Sequence, residues 1–227
     1  MKKALIALLS LALVGSYGCK KTNPAPANTA GVMFVNGCAG SLPAVDARVD
    51  NVAISGALNI AFPAYSGYKY VKSGTPVTLG FFLTNVGTPV SSQSVTLENN
   101  VSYSAFCGGL ITSPAFLLVK DNMTPPATNK AKIRFVNLSK DNLKITANAQ
   151  TTIIGTDITA LGYTEFVEVS AGGYELKAGD PSDISTVVAT EPTTQVLAAG
   201  KIYTLILTGS KSGSGTSALR LKLLNNN

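Results

Sequence analysis

Three cysteines, a cluster of tyrosines and one pair of aspartates are the residues of this chain whose types could do chemistry, and no histidine accompanies them. Histidine is the commonest general base and metal ligand near neutral pH, so its absence removes the usual catalytic triads at once. With Cys19 set aside as part of the amino-terminal segment, Cys38 and Cys107 remain. In an oxidising compartment they would pair as a disulfide, closing about 70 residues and worth roughly 4 kcal/mol in the chain-entropy account. The competing arrangement is two buried reduced thiols, since cysteine also packs as a small apolar residue. Two cysteines without histidine do not make a metal site. Asp180-Pro-Ser-Asp183 could offer oxygens to calcium, but it lacks the spaced acidic loop of such sites and reads as a turn. Tyr65 and Tyr68 read as core positions, which leaves Tyr70 as the surface aromatic that could join a ligand platform. A serine nucleophile would need a lysine base; no Ser-x-x-Lys arrangement stands out, and Ser139-Lys140 and Ser170 lie in loops. The expectation is a protein that is not an enzyme and carries no cofactor or metal.

The elements that must position these residues are strands. Apolar residues make up 45% of the 227-residue chain and charged residues 13%, ample for a buried core. Ala131-Lys-Ile-Arg-Phe-Val-Asn137 and Lys144-Ile-Thr-Ala-Asn-Ala149 alternate apolar and polar, the period of a half-buried strand. Phe166–Val169, the turn Ala171-Gly172-Gly173 and Tyr174–Lys177 read as a hairpin. Pro76, which donates no amide, is expected to open an edge strand. No stretch repeats its apolar residues at the helical spacing of three, four and seven. The net charge of +6, about +4 without Lys2 and Lys3, is scattered, which argues against a nucleic-acid partner.

The strand pattern occurs twice. Val32-Met-Phe34-Val-Asn36 aligns with Ile133-Arg-Phe135-Val-Asn137, Tyr65…Gly74 with Tyr163…Gly172, and Leu97…Tyr103 with Leu197…Tyr203, at offsets of 101, 98 and 100 residues. Tyr103 and Tyr203 each open an apolar run after a turn, where a hydroxyl could tie back to the turn as in the tyrosine corner of Greek-key sandwiches. The chain therefore divides into β-sandwich units at 30–119 and 131–227, joined by a polar, proline-bearing linker at 120–130. The final Asn225-Asn226-Asn227 reads as a frayed end.

Ahead of the units, Met1-Lys2-Lys3 is a basic start and Ala4–Val14 an apolar stretch too short to span a bilayer. With Gly18-Cys19 following, residues 1–18 resemble a bacterial lipoprotein signal, although Ser16 stands where leucine is usual. The resemblance implies lipid attachment at Cys19, with 19–29 an extended tether. Several acyl chains would hold the protein firmly to a membrane. Residue 20 is Lys rather than Asp, which favours the outer membrane, its face undetermined.

The Phe-Val-Asn opening strand, the Tyr…Val…Gly segment and the Leu-x5-Tyr corner resemble the "domain of unknown function 4397" family, common in lipoproteins of Bacteroidetes-type bacteria. The first unit departs by having Ser73-Gly74-Thr75-Pro76 at the turn and by carrying its two cysteines. The resemblance implies all-β, immunoglobulin-like (Greek-key) sandwiches in the cell envelope, and it implies no activity. The functional expectation is a lipid-anchored binding or scaffolding module for a protein or glycan partner. The alternative is a structural or anchor subunit of a surface fibre that donates a strand, with Ala218–Leu224 as the candidate.

Overall fold

The computed structural model describes residues 25–40, 44–149, 152–182, 187–190 and 194–227. The first half supplies β1 (Thr29–Asn36), β2 (Val45–Val49), β3 (Val52–Ala53), β4 (Ala64–Lys72), β5 (Pro76–Leu83), β6 (Pro89–Thr96), β7 (Ser102–Leu110) and β8 (Ser113–Asp121). These form two sheets, ordered β4-β1-β7-β8 and β3-β2-β5-β6. The second half supplies β9 (Lys130–Asn137), β10 (Leu143–Ala149), β11 (Thr152–Ile158), β12 (Val167–Ser170), β13 (Gly172–Gly179), β14 (Val187–Thr190), β15 (Gln195–Leu197), β16 (Ile202–Thr208) and β17 (Arg220–Asn225). Its sheets run β12-β9-β16-β17 and β11-β10-β13-β14, with β15 also on β13. The protein is all-β, and each half is a pair of packed sheets resembling a β-sandwich.

The alternating side chains explain why the sheets pair. In the first half, Val32 and Phe34 of β1 and Ala105 of β7 face Ala47 of β2 and Leu79 and Phe81 of β5, all buried in one core. In the second, Ile133 and Phe135 face Ile145, Ala147, Tyr174 and Leu176 in another. Apolar area removed from water in these two interiors is the main force holding each half together.

The pairing departs from an all-antiparallel Greek key. β1 runs parallel to β7, with Phe34 opposite Ala105, and β9 runs parallel to β16, with Phe135 opposite Leu205. A parallel pair needs a crossover, and here the chain between the two strands passes through the other sheet of its half. The hairpin expected at 166–177 is likewise absent: β12 pairs with β9, while β13 pairs with β10, β14 and β15 in the opposite sheet. Around Ala171 the chain changes sheets instead of folding back. Pro76 opens β5, which lies between β2 and β6 and is not an edge strand. It is tolerated because it occupies the strand's first position, where the missing amide costs little of the ladder.

A third core lies between the halves. Met33, Val35, Phe106 and Val119 of the first half pack against Val136, Leu138, Ile206 and Leu224 of the second. The four sheets therefore stack as layers, and β1, β7, β9 and β16 are covered on both faces. That double burial accounts for the nearly unbroken apolar runs of β7 and β16, whose interior residues are all buried.

Candidate functional site

The seam between the halves holds the most concentrated polar chemistry of the described residues. Arg134 projects from β9 toward β8, and its Nη1 lies 2.7 Å from Asp121 Oδ1, an ion pair with side chains 1% and 0% exposed. Arg134 Nη2 donates to Ser104 Oγ (2.8 Å) and Nε to Thr204 Oγ1 (3.0 Å). Asp121 Oδ2 accepts from Ser104 Oγ (2.8 Å) and from the Tyr68 hydroxyl (2.6 Å). Asn226 closes the network, donating to Tyr68 Oη (3.1 Å) and accepting from Thr204 (2.8 Å). The guanidinium also sits over the Phe166 ring at 4.5 Å and near that of Phe106 at 5.8 Å. Burial, and next the Asp121 charge, push the Tyr68 hydroxyl well above its ordinary value. With both charges paired and further hydrogen-bonded, the desolvation cost of burying them is offset.

The members of this network are counterparts of one another in the two halves. Ser104 and Thr204 lie one place after the repeated Tyr103 and Tyr203, and Tyr68 and Phe166 share the offset of 98. Tyr103 pairs with Lys120 and Tyr203 with Asn225, so Asp121 and Asn226 occupy equivalent places. Arg134 stands where the first half has Met33. The same sheet face of each half thus meets the other, as in an isologous pair, with charge placed asymmetrically. Glycines in the first half admit the close approach. A side chain at Gly37 would collide with Leu138, one at Gly108 would crowd Leu138 and Leu161, and Gly109 N donates to Leu138 O (2.8 Å). Asn226 is 4% exposed and Asn227 Oδ1 accepts from Ile202 N, so the expected frayed end is a packed strand terminus.

The connector from β8 to β9 is tied to both halves. Met123 Sδ lies 3.4 Å from Tyr68 Oη, Lys132 Nζ donates to Thr124 O (2.7 Å), and Ala127 N donates to Glu168 (3.1 Å). Beside it opens a cleft of about 480 Å³, lined by Asn100, Ser102, Lys120, Asn122, Met123 and Glu165 among others.

The other residues singled out by type fall elsewhere. Cys38 and Cys107 lie in the core of the first half as free thiols rather than the expected disulfide. Hydrogen bonding to Cys107, and then burial, hold the Cys38 thiol far above its ordinary value, and Ser91 Oγ donates to Cys107 Sγ at 3.4 Å. In the second half Ser139, the counterpart of Cys38, donates twice to Asn137 Oδ1. The equivalent Asn36 Oδ1 has no such partner, and Cys38 packs in the apolar core instead. Tyr103 Oη accepts from Glu98 N (3.2 Å) and Tyr203 Oη from Ala198 N (3.1 Å), each five residues back. Tyr70 is 59% exposed on β4, while Tyr65, expected in the core, is 37% exposed with its hydroxyl accepting from Asn225 N.

Asp180 is held by Lys211 (2.7 Å) and by Ser182, which lower its carboxyl far below the ordinary range, and Asp183 lies outside the described residues. Ser170 Oγ accepts from Lys130 Nζ at 3.1 Å in an exposed contact. Among the described residues no group of three or more His, Cys, Asp or Glu could hold a metal. Cys19 and the rest of residues 1–24 also lie outside the described residues.

Sequence analysis missed Arg134 and Asp121. The available signal was a long cation inside a strand otherwise matched to Val32–Asn36, at the place of Met33.

No curated protein matches the chain. Among solved structures, the C-terminal domain of AlgF from P. aeruginosa is 24% identical with a TM-score of 0.33, covering 43% of this chain and 98% of that one. A family CBM26 module of Eubacterium rectale Amy13K bound to maltoheptaose is 11% identical, covers 87% and 97%, and has a TM-score of 0.26. A putative cell adhesion protein from Bacteroides uniformis is 10% identical, covers 88% and 100%, and has a TM-score of 0.24. At such scores these likenesses carry no argument about function. The family described as "Domain of unknown function (DUF4397)" matches residues 30–146, all of the first sheet pair and the opening strands of the second. That match spans just over half of the 227 residues, and the chain belongs to the DUF4397 family.

Proposed function

We propose that the protein is a non-catalytic module of the cell envelope, anchored to the outer membrane by lipid on Cys19, that binds or scaffolds a protein or glycan partner. The observation that carries this reading is the seam. A buried ion pair and a separate apolar core bind the two sandwiches to each other, so their outer surfaces are presented in a set relative orientation. Among the described residues, the groups singled out for chemistry are engaged in structure: Cys38 and Cys107 are buried, Asp121 and Arg134 pair, and Asp180 holds Lys211. A body of this kind positions surfaces rather than reacting groups, and recognition commonly sits on loops and clefts borne by such scaffolds.

The fibre reading has less support. Ala218–Leu224, the segment considered for donation, overlaps β17, which is hydrogen-bonded along its length to β16 of its own sheet. Leu224 is also buried in the seam, so donating the strand would expose that core.

The test is in-cell photo-crosslinking of the protein together with a Cys19→Ala variant. The reading expects membrane attachment that Cys19→Ala abolishes, and a discrete crosslinked partner. Attachment that survives Cys19→Ala would remove the anchor, and ladders of the protein alone would favour the fibre.

A further inference from the structure

We infer that the cleft at the end of the seam is a binding site for a neutral, hydroxyl-rich saccharide, with Tyr70 as its stacking ring; the inference rests on the binding-module reading and deepens it. The placement follows from register. Tyr70 of β4 lies opposite Gly31 of β1, Gly31 opposite Ser102 of β7, and Ser102 opposite Asp121 of β8. Directly paired residues point to one face, so these four form a row across the sheet on the side of the seam. Ser102 and Asp121 line the cleft. Tyr70 stands two strands from Ser102, about 10 Å at the usual strand spacing. Between them Gly31 has no side chain, and the Tyr68 ring lies 3.5 Å from where its Cβ would stand.

The chemistry of the walls selects the ligand. The Asn100 amide and the Glu165 carboxylate border the cleft, and neither is engaged by another described residue. Planar amides and carboxylates recognise adjacent hydroxyls through paired hydrogen bonds, while an exposed tyrosine offers an apolar face with a polar tip. Met123 and Val101 supply the remaining apolar wall. An anionic ligand is disfavoured because Lys120, the cation of the lining, is neutralised by both oxygens of Glu98 at 2.9 and 2.8 Å.

Gly31 allows a clean test. A Cβ at this position would meet Ser102 Oγ and Tyr68 at ordinary contact distances of 3.5 Å. A longer side chain there would extend over the row between Tyr70 and Ser102. Binding is measured by saturation-transfer NMR and calorimetric titration of the purified protein. The probes are neutral hexasaccharides of glucose, mannose and N-acetylglucosamine, with a hexauronate as the charged comparison.

The expected result is binding of at least one neutral probe, weakened about tenfold by Tyr70→Ala. Gly31→Gln abolishes that binding with an unchanged thermal midpoint, and Tyr163→Ala leaves it unaltered. Three results overturn the inference: no neutral probe binding at about 10 mM, well above a weak millimolar Kd; preference for the hexauronate; or binding indifferent to both Tyr70→Ala and Gly31→Gln. A protein partner crosslinked equally well by the wild type and by Tyr70→Ala, without saccharide binding, would sink this site while leaving the binding-module reading intact.

Discussion

At the scale of residues, the account turns on Asp121 and Arg134. Each would be intolerable alone, since an uncompensated buried charge costs several kcal/mol. Asp121→Ala is therefore expected to destabilise the protein by about 3–5 kcal/mol in chemical denaturation. The double variant Asp121→Leu/Arg134→Met, which places the first half's own residue at the second half's position, should recover most of that loss. A loss below about 1 kcal/mol for Asp121→Ala would show that the pair is solvated.

Tyr68 adds a pH dependence. Its folded-state value is raised above the unfolded value near 10. Its contribution is therefore fully present below pH 10 and is lost as pH rises beyond it. Wild-type stability should fall more steeply above pH 10 than that of Tyr68→Phe, followed by denaturant midpoints. Neither effect was legible in the sequence. Arg134 occupies a polar position in an alternating strand, which reads as a solvent face, and Ser104, Phe166 and Thr204, which help to cover it, lie far away along the chain.

At the scale of elements, strands were legible and their partners were not. Ala131–Asn137 and Lys144–Ala149 declare themselves by period, and both are strands. Family membership could be read as well, because Phe34-Val-Asn and its copy at Phe135 are short local patterns. Sheet assignment failed around Ala171-Gly172-Gly173, because glycine serves a hairpin turn and a passage between sheets equally well. The turns also differ in what they demand.

Gly109 has φ +77°, and a Cβ there would meet Ser113 O at 2.6 Å, whereas Gly74 has φ +80° with nothing within 4 Å. Gly109→Ala must pay for both backbone strain and collision, and its amide also reaches Leu138 O across the seam. Gly109→Ala should cost roughly 2–3 kcal/mol and Gly74→Ala about 1 kcal/mol in thermal or denaturant unfolding. Equal costs would mean that the tight approach at Gly109 relaxes freely.

At the scale of the whole molecule, two sandwiches that look in sequence like separate units share a face. Counterpart residues meet there: Leu138 over Gly37, and Ser104 and Thr204 on one guanidinium. A third core and a buried ion pair should make their unfolding mutually dependent, since exposing the seam would strand a charge and open an apolar surface. This coupling also bears on function, because it would let a cleft formed partly by each half keep its shape.

Differential scanning calorimetry of the purified protein tests the coupling most directly. The account predicts one transition whose calorimetric and van't Hoff enthalpies agree, with its midpoint lowered as a unit by Asp121→Ala. Two separable transitions, with Asp121→Ala leaving the second unmoved, would contradict it.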